Sequence, residues 1–311
     1  MPDKRLPIID AHHHYWDPDA NYHPWLRDEP MIPFRYGDYS RIRKRFIPEE
    51  YDEAARNFDV VATVTMEGEW DEADQVGESR WMSEVANEYG KPAGHVARTL
   101  LHMPGASDEI CQHAAYPIVR AIRHKPTAAP GPDRIEKGAP ASMSDPDWQH
   151  GYAQLAPNGL HFELQTPWWH VTELMDLIAK FPGTPVVINH AFMPVDRSAD
   201  GLEAWRDAIR LAATAPDVTM KISGIGIAGK PWTVEDQRPI IDACIDAFGS
   251  DRCMFASNFP VDGLVGTFDT IYDGFLSATE DLSREERSAM FHDNAIRVYR
   301  LDIQATNGGQ R

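Results

Sequence analysis

The sequence predicts an α/β protein, specifically a (β/α)8 barrel of the TIM type with one extra helix at its C-terminal end. Two observations carry this expectation. Eight apolar runs of strand length recur along the 311 residues, at 6–12, 60–67, 94–101, 118–124, 159–165, 185–190, 218–224 and 253–259. Between them lie stretches with apolar residues at helical spacing, at 48–58, 72–89, 171–181, 202–213 and 234–248. Strands alternating with helices imply a parallel sheet built of right-handed crossovers, and eight repeats in this length suit a closed barrel better than an open sheet. No internal boundary interrupts the alternation, so residues 1–311 read as a single domain.

The first strand is the most informative. Ile8 and Ile9 run into Asp10-Ala11-His12-His13-His14, so a buried strand ends in a cluster of imidazoles. A period of two puts Asp10, His12 and His14 on one face and Ala11, His13 and Tyr15 on the other. The stretch 17–37, with Tyr22, His23, Trp25 and Tyr36, reads as a long loop, and on a barrel such strand-to-helix loops form the mouth of the site. Trp25 is expected to pack on a substrate ring or on a second copy of the chain in a homo-oligomer. In the second strand, Val61, Thr63, Thr65 and Glu67 are expected to face inward, with Glu67 a carboxylate at the strand end.

The helix after the third strand is the weakest, because 108–115 is short and Pro117 follows. In the fourth strand Val119, Ala121 and Arg123 share the inner face, with Arg120 and His124 on the opposite one. The Pro- and Gly-rich stretch 126–146 is a second lid candidate. In the fifth strand Leu160, Phe162 and Leu164 should meet the helices, while His161, Glu163 and Gln165 line the interior. The sixth strand ends at Asn189-His190, which sets His190 level with His12 and His14. In the seventh, Thr219, Lys221 and Ser223 point inward, and a buried lysine there requires a carboxylate or an anionic ligand. The eighth places Asn258 at its end, and Pro260 stops it. Asp262, beyond Pro260, is expected to leave the strand axis. A last helix at 284–301 packs across the barrel, and 306–311 should be disordered.

Composition bounds the partners. No apolar run approaches the length of a membrane span, and the mean hydropathy is negative. A formal charge of -18 disfavours nucleic acid and anionic membrane as partners. Cys111, Cys244 and Cys253 are too few and too irregular for a disulfide framework. Residues 1–5 carry no signal-peptide pattern, so a cytoplasmic location is expected. The basic run Arg41, Arg43, Lys44 and Arg45 is a local exception, able to attract an anionic substrate if it lies near a pocket.

Asp10 through Trp16, Arg123-His124, His190, Ser257-Asn258-Phe259-Pro260 and Asn294 through Tyr299 together resemble the amidohydrolase superfamily, in its amidohydrolase-related branch that contains sugar lactonases and 2-pyrone-4,6-dicarboxylate lactonase. The resemblance covers nearly the whole chain and implies a (β/α)8 barrel. It also implies that His12, His14 and His190 surround the reaction centre, as metal ligands for a divalent ion such as zinc, or without metal, since the branch includes metal-independent lactonases. The family's usual Ser-Asp-Trp-Pro is here Ser257-Asn258-Phe259-Pro260, so the aspartate that serves as metal ligand or base is an amide, which neither takes a proton usefully nor adds charge.

The expected activity is therefore that of a hydrolase opening a lactone or a related C–O or C–N bond on a small anionic or polyhydroxylated substrate. His12, His14, His190 and Asn258 form the centre, and Glu163 or His161 handles the proton. Arg123, Lys221, Glu67, Ser223 and Trp25 are the substrate-binding candidates. The alternatives are a decarboxylase or lactone isomerase on the same scaffold, or a binding protein without turnover.

Overall fold

The computed structural model describes residues 6–303, so the tail at 306–311 expected to be disordered lies outside the described residues. Eight parallel strands form one sheet in sequence order: β1 (Ile8–His13), β2 (Val60–Met66), β3 (Gly94–Arg98), β4 (Val119–His124), β5 (His161–Leu164), β6 (Val186–Ile188), β7 (Val218–Ile222) and β8 (Cys253–Phe255). The sheet curls into a barrel because the chain beyond β8 meets β1. There the Asn258 amide donates to the His12 carbonyl (2.8 Å) and the His14 amide to the Phe259 carbonyl (2.7 Å). Asp10 bolts the same seam, accepting from the Ser257 amide (2.8 Å), the Ser257 hydroxyl (2.5 Å) and Tyr51 Oη (2.8 Å).

The helices are α1 (Pro24–Arg27), α2 (Pro48–Ala55), α3 (Gln75–Tyr89), α4 (Ala106–Ala114), α5 (Pro146–Tyr152), α6 (Val171–Lys180), α7 (Ala199–Ala213), α8 (Val234–Phe248), α9 (Phe268–Ala278), α10 (Arg284–Ser288) and α11 (Asn294–Tyr299). The short segment after β3 does form a helix, α4. Helix α9 escapes the sequence reading, although its signal is present: Thr267 caps it by accepting from the Thr270 amide, and Phe268, Ile271, Tyr272, Phe275 and Leu276 are buried at helical spacing.

Two facial assignments change. In β1 the pairing runs Asp10 to Thr63 and then His13 to Thr65, so three residues oppose two. This bulge resets the alternation. Ala11 joins Ile9 in the barrel interior, and Asp10 turns out to Tyr51, away from the face it was expected to share with His12 and His14. In β2 the parity is the reverse of that expected. Val64 and Met66 fill the interior with Val96, Ala121, Val187 and Met254, while Thr65 Oγ1 lies 3.0 Å from His95 Nδ1. The apolar side chains win the interior, and the Thr65 hydroxyl finds its partner outside it, at His95.

The expected helix at 284–301 is interrupted by a wide π turn, Ala289–Asp293, between α10 and α11. Asn294 then donates to the carbonyls of Ser250 (2.7 Å) and Cys253 (2.8 Å), which fastens α11 beneath β8. Tyr299 and Leu301 plug the barrel at the end where its strands begin. Gly94 makes room there, since a Cβ on it would sit 3.1 Å from Leu301 Cδ2.

Candidate active site

A cavity of about 280 Å³ opens where the strands end, with His14, Glu67, Arg123, His190 and Asn258 among its lining. The first long loop supplies Trp25, Phe34 and Arg35 to its wall. Trp25 is held by its own Nε1, which donates to the Gly68 carbonyl (2.8 Å), and by stacking on Phe34 at 5.5 Å between centroids. The second lid candidate, 126–146, lines no part of this cavity. It is tied sideways to the turn before α6, where the Ala129 amide donates to His170 Nε2 (2.9 Å) and Trp169 Nε1 to the Ala129 carbonyl (3.0 Å).

The three histidines do come together: the His12 ring lies 5.3 Å from His14 and 4.7 Å from His190. Burial pushes all three well below the ordinary imidazole range, His14 to about 3, so all three are neutral at pH 7. His14 Nδ1 lies 3.2 Å from the Met66 carbonyl and 3.1 Å from the Glu67 carbonyl. Carbonyls only accept, so Nδ1 carries the proton and Nε2 is left with its lone pair. His190 Nδ1 lies 3.0 Å from Ser223 Oγ. His12 is fully buried, with both ring nitrogens unpartnered.

Two strained pieces of backbone hold this arrangement. His190, Ala191, Phe192 and Met193 all have φ between 51° and 58°, one turn of left-handed helix closed by the Met193 amide on the His190 carbonyl (2.8 Å). Such a turn costs about 1–2 kcal/mol per residue. Gly224 at the end of β7 permits it, because a Cβ there would lie 2.4 Å from His190 Nδ1. Asn258 is also left-handed, at φ 54°.

Asn258 corrects the reading of Asp262. Past Pro260 a short 3-10 turn, Val261–Leu264, folds the chain back, so that Asp262 is buried and its Oδ1 accepts from Asn258 Nδ2 at 2.6 Å. The carboxylate fixes the amide orientation, which leaves Asn258 Oδ1 as the other end of the group. Tyr36 Oη also donates to Asp262 (3.0 Å), and burial raises the Asp262 carboxyl to about 6 despite the nearby Arg35.

Glu163, Lys221 and His161 form a layer below the cavity and line no part of it. Glu163 Oε2 accepts from Lys221 Nζ (2.9 Å) and Asn189 Nδ2 (2.5 Å), and Oε1 accepts from Tyr299 Oη (2.5 Å) with His161 Nε2 at 3.4 Å. The Lys221 ammonium and these hydrogen bonds outweigh burial and hold Glu163 down to about 2, while burial brings Lys221 down to about 8. The pairing expected for a buried lysine is therefore met within the protein. Glu163, saturated with donors, has no capacity left to take a proton. Arg123 does reach the cavity, but its Nε donates to Glu67 Oε1 (2.6 Å) and its Nη1 to Gln165 (3.2 Å), so its charge is already balanced. His124 faces outward, accepting from Trp148 Nε1 at 2.8 Å.

The amidohydrolase family profile matches residues 9–301. The chain belongs to the amidohydrolase family. Among individual relatives, it is 38% identical over 296 residues to the uncharacterized protein y4mH of Sinorhizobium fredii, covering 95% of this chain and 99% of that protein. It is 26% identical over 312 residues to an L-fucono-1,5-lactonase of Burkholderia multivorans, covering 94% and 96% respectively. Among solved structures, an amidohydrolase from Burkholderia multivorans with bound zinc superposes with a TM-score of 0.77 over 94% of this chain and 99% of that one, at 24% identity. That last likeness speaks to the fold.

Three neutral imidazoles are the donor type that zinc takes. As arranged here they do not make a metal centre. Among the described residues no three His, Cys, Asp or Glu side chains gather closely enough to hold an ion, and position 258, where the family's aspartate would stand, is a neutral amide. Among the described residues no helix is long and apolar enough to cross a membrane. The sequence reading missed Arg35 and Lys125 at the mouth. Both sit on strand-to-helix connections, where neither period two nor period 3.6 marks which way a side chain points.

Proposed function

We propose that this amidohydrolase opens a small ring ester, a lactone, by water attack at the carbonyl carbon. The observation that carries the reading is His14: a neutral imidazole on the cavity wall, its proton committed to two carbonyls and its Nε2 lone pair free. A water donating one hydrogen to His14 Nε2 and the other to Asn258 Oδ1 is oriented for attack. His190, when Ser223 donates to its Nδ1, carries its proton on Nε2 and stabilises the oxygen of the tetrahedral intermediate. On collapse the ring C–O bond breaks, and the departing oxygen takes the proton held by His14, so the base is restored. A weakly basic imidazole suits an activated ester rather than an amide. The 26% identity to an L-fucono-1,5-lactonase over nearly the whole chain supports a lactone as the substrate class.

Asn258 also favours a second reading, in which no hydrolytic base is needed and the scaffold decarboxylates or isomerises its substrate. A panel of sugar and aromatic lactones and carboxylates, followed at fixed pH with product analysis, separates the two. Base uptake with a ring-opened acid supports hydrolysis. Released carbon dioxide or an isomerised lactone replaces it with the second reading, and tight binding without turnover replaces both.

A further inference from the structure

We propose that the barrel mouth holds a second binding site, in which Arg35 and Arg197 receive a carboxylate carried on an apolar body. A cleft of about 290 Å³ lies between the left-handed turn after β6 and the loop after β7, and it shares Arg35 and Met193 with the histidine cavity. Its lining contains two guanidinium groups and no carboxylate. In a chain with 48 acidic and 30 basic residues, such a place is not expected from composition.

Both arginines are anchored through a single nitrogen. Arg197 Nη2 donates to the Ile225 carbonyl (2.7 Å) and to Gln237 Oε1 (3.4 Å). Arg35 Nη2 donates to Tyr36 Oη (2.8 Å) and to the Gly224 carbonyl. Among the described residues their other nitrogens have no acceptor, and neither group is within salt-bridge distance of a carboxylate. The Asp262 carboxylate, which lines no part of this cleft, is turned to Tyr36 and Asn258. Burial lowers the Arg197 pKa despite the opposing influence of Tyr36 and of the Asp236 carboxylate, with Arg35 adding a smaller like-charge contribution, a penalty that an anion between the two arginines would relieve.

The remainder of the lining is apolar, with Val195 58% exposed beside Met193 and Ile225. This suits the carbon body of an alkyl or aryl carboxylate rather than inorganic anions. The adjoining cleft past Tyr36 continues the pattern with Arg41 and Lys230 and again no acid. Within the basic run at 41–45, Arg43 is neutralised by Glu29 and Arg45 by Glu49 and Glu50, whereas Arg41 is left at this rim. A carboxylate seated between the arginines would place its carbon body toward the histidines through the shared Met193 wall. That the bound acid is an arm of the substrate rests on the hydrolytic reading. That the cleft binds a carboxylate does not.

The test is a binding measurement with hexanoate and its neutral counterpart hexanamide, by ligand-observed NMR titration of the whole chain. Hexanoate should bind at least about tenfold more tightly than hexanamide, and raised salt should weaken it. Arg197→Met, which leaves the histidine cavity lining intact, should lose about tenfold in hexanoate affinity, as expected for a charge-assisted contact. Arg35→Gln, at a more exposed position, should do the same and decides the matter if Arg197→Met does not fold by circular dichroism. Equal binding of acid and amide, no binding of hexanoate, or unchanged affinity in the folded variants overturns the proposal. Failure of lactone turnover with these binding results intact would sink the hydrolytic reading alone.

Discussion

Replacing Asn258 by aspartate is the obvious way to rebuild the family's site, and the geometry predicts that it fails by itself. Asp262 Oδ1 lies 2.6 Å from the Asn258 amide nitrogen, so Asn258→Asp sets two carboxyl groups side by side. With charge centres about 4 Å apart and an effective dielectric constant near 20, two ionised carboxylates repel by about 4 kcal/mol, about three pKa units. Asp262 already stands near 6 because it is buried, so the pair should hold one shared proton to about pH 8 or beyond. The single variant therefore presents no ionised aspartate to the histidines at pH 7. The double variant Asn258→Asp/Asp262→Asn keeps the hydrogen bond with its partners exchanged and does present one. Elemental analysis after equilibration with zinc should show little more metal in the single variant than in the natural chain, and near one equivalent in the double variant. Carbon-detected NMR of the carboxyls should show one of the pair titrating above pH 7 in the single variant. Stoichiometric zinc in the single variant, or two carboxyls titrating near 4, would show that the pair does not share a proton.

Because His14 is held near 3, its base form persists on acidification, so its protonation should give no acid limb in lactone hydrolysis between pH 5 and 8; a limb at 6–7 that persists in Asp262→Asn, where the titrating carboxyl beside Asn258 is gone, would remove His14 from the role of base. Lys221→Met strands the Glu163 carboxylate in the barrel and should destabilise by about 3–5 kcal/mol, with most of the loss recovered in Lys221→Met/Glu163→Leu. Urea denaturation midpoints decide this, and equal losses in the single and double variants would contradict it. Glu78 is buried, and burial together with the Glu67 charge raises it to about 8, while its unfolded value is near 4.5. Its folded pKa is the higher one, so the stability tied to its protonated form is complete below about pH 4.5 and is lost as pH rises toward 8. Glu78→Gln should accordingly gain about 3 kcal/mol on the natural chain between pH 4.5 and 7, and a pH-independent difference would rule this out.

What the sequence alone determines here is set by local periodicity. Eight strand-length apolar runs alternating with amphipathic helices suit a closed barrel better than an open sheet, and alternation along β5 and β7 is enough to aim Glu163 and Lys221 inward. The three histidines at strand ends are legible for the same reason, since a strand's end on a parallel barrel has only one place to go. Three things were decided by tertiary contacts. The bulge in β1 turned Asp10 out to Tyr51, because register is a property of a pair of strands rather than of one. Tyr299, far along the chain from Glu163, closes the carboxylate's donor shell from α11 and so removes it as a base. The turn past Pro260 returned Asp262 to Asn258, a contact made by backbone torsion that no spacing of residue types encodes. Periodicity reports which face a side chain takes, and it is silent on which distant group will be waiting there.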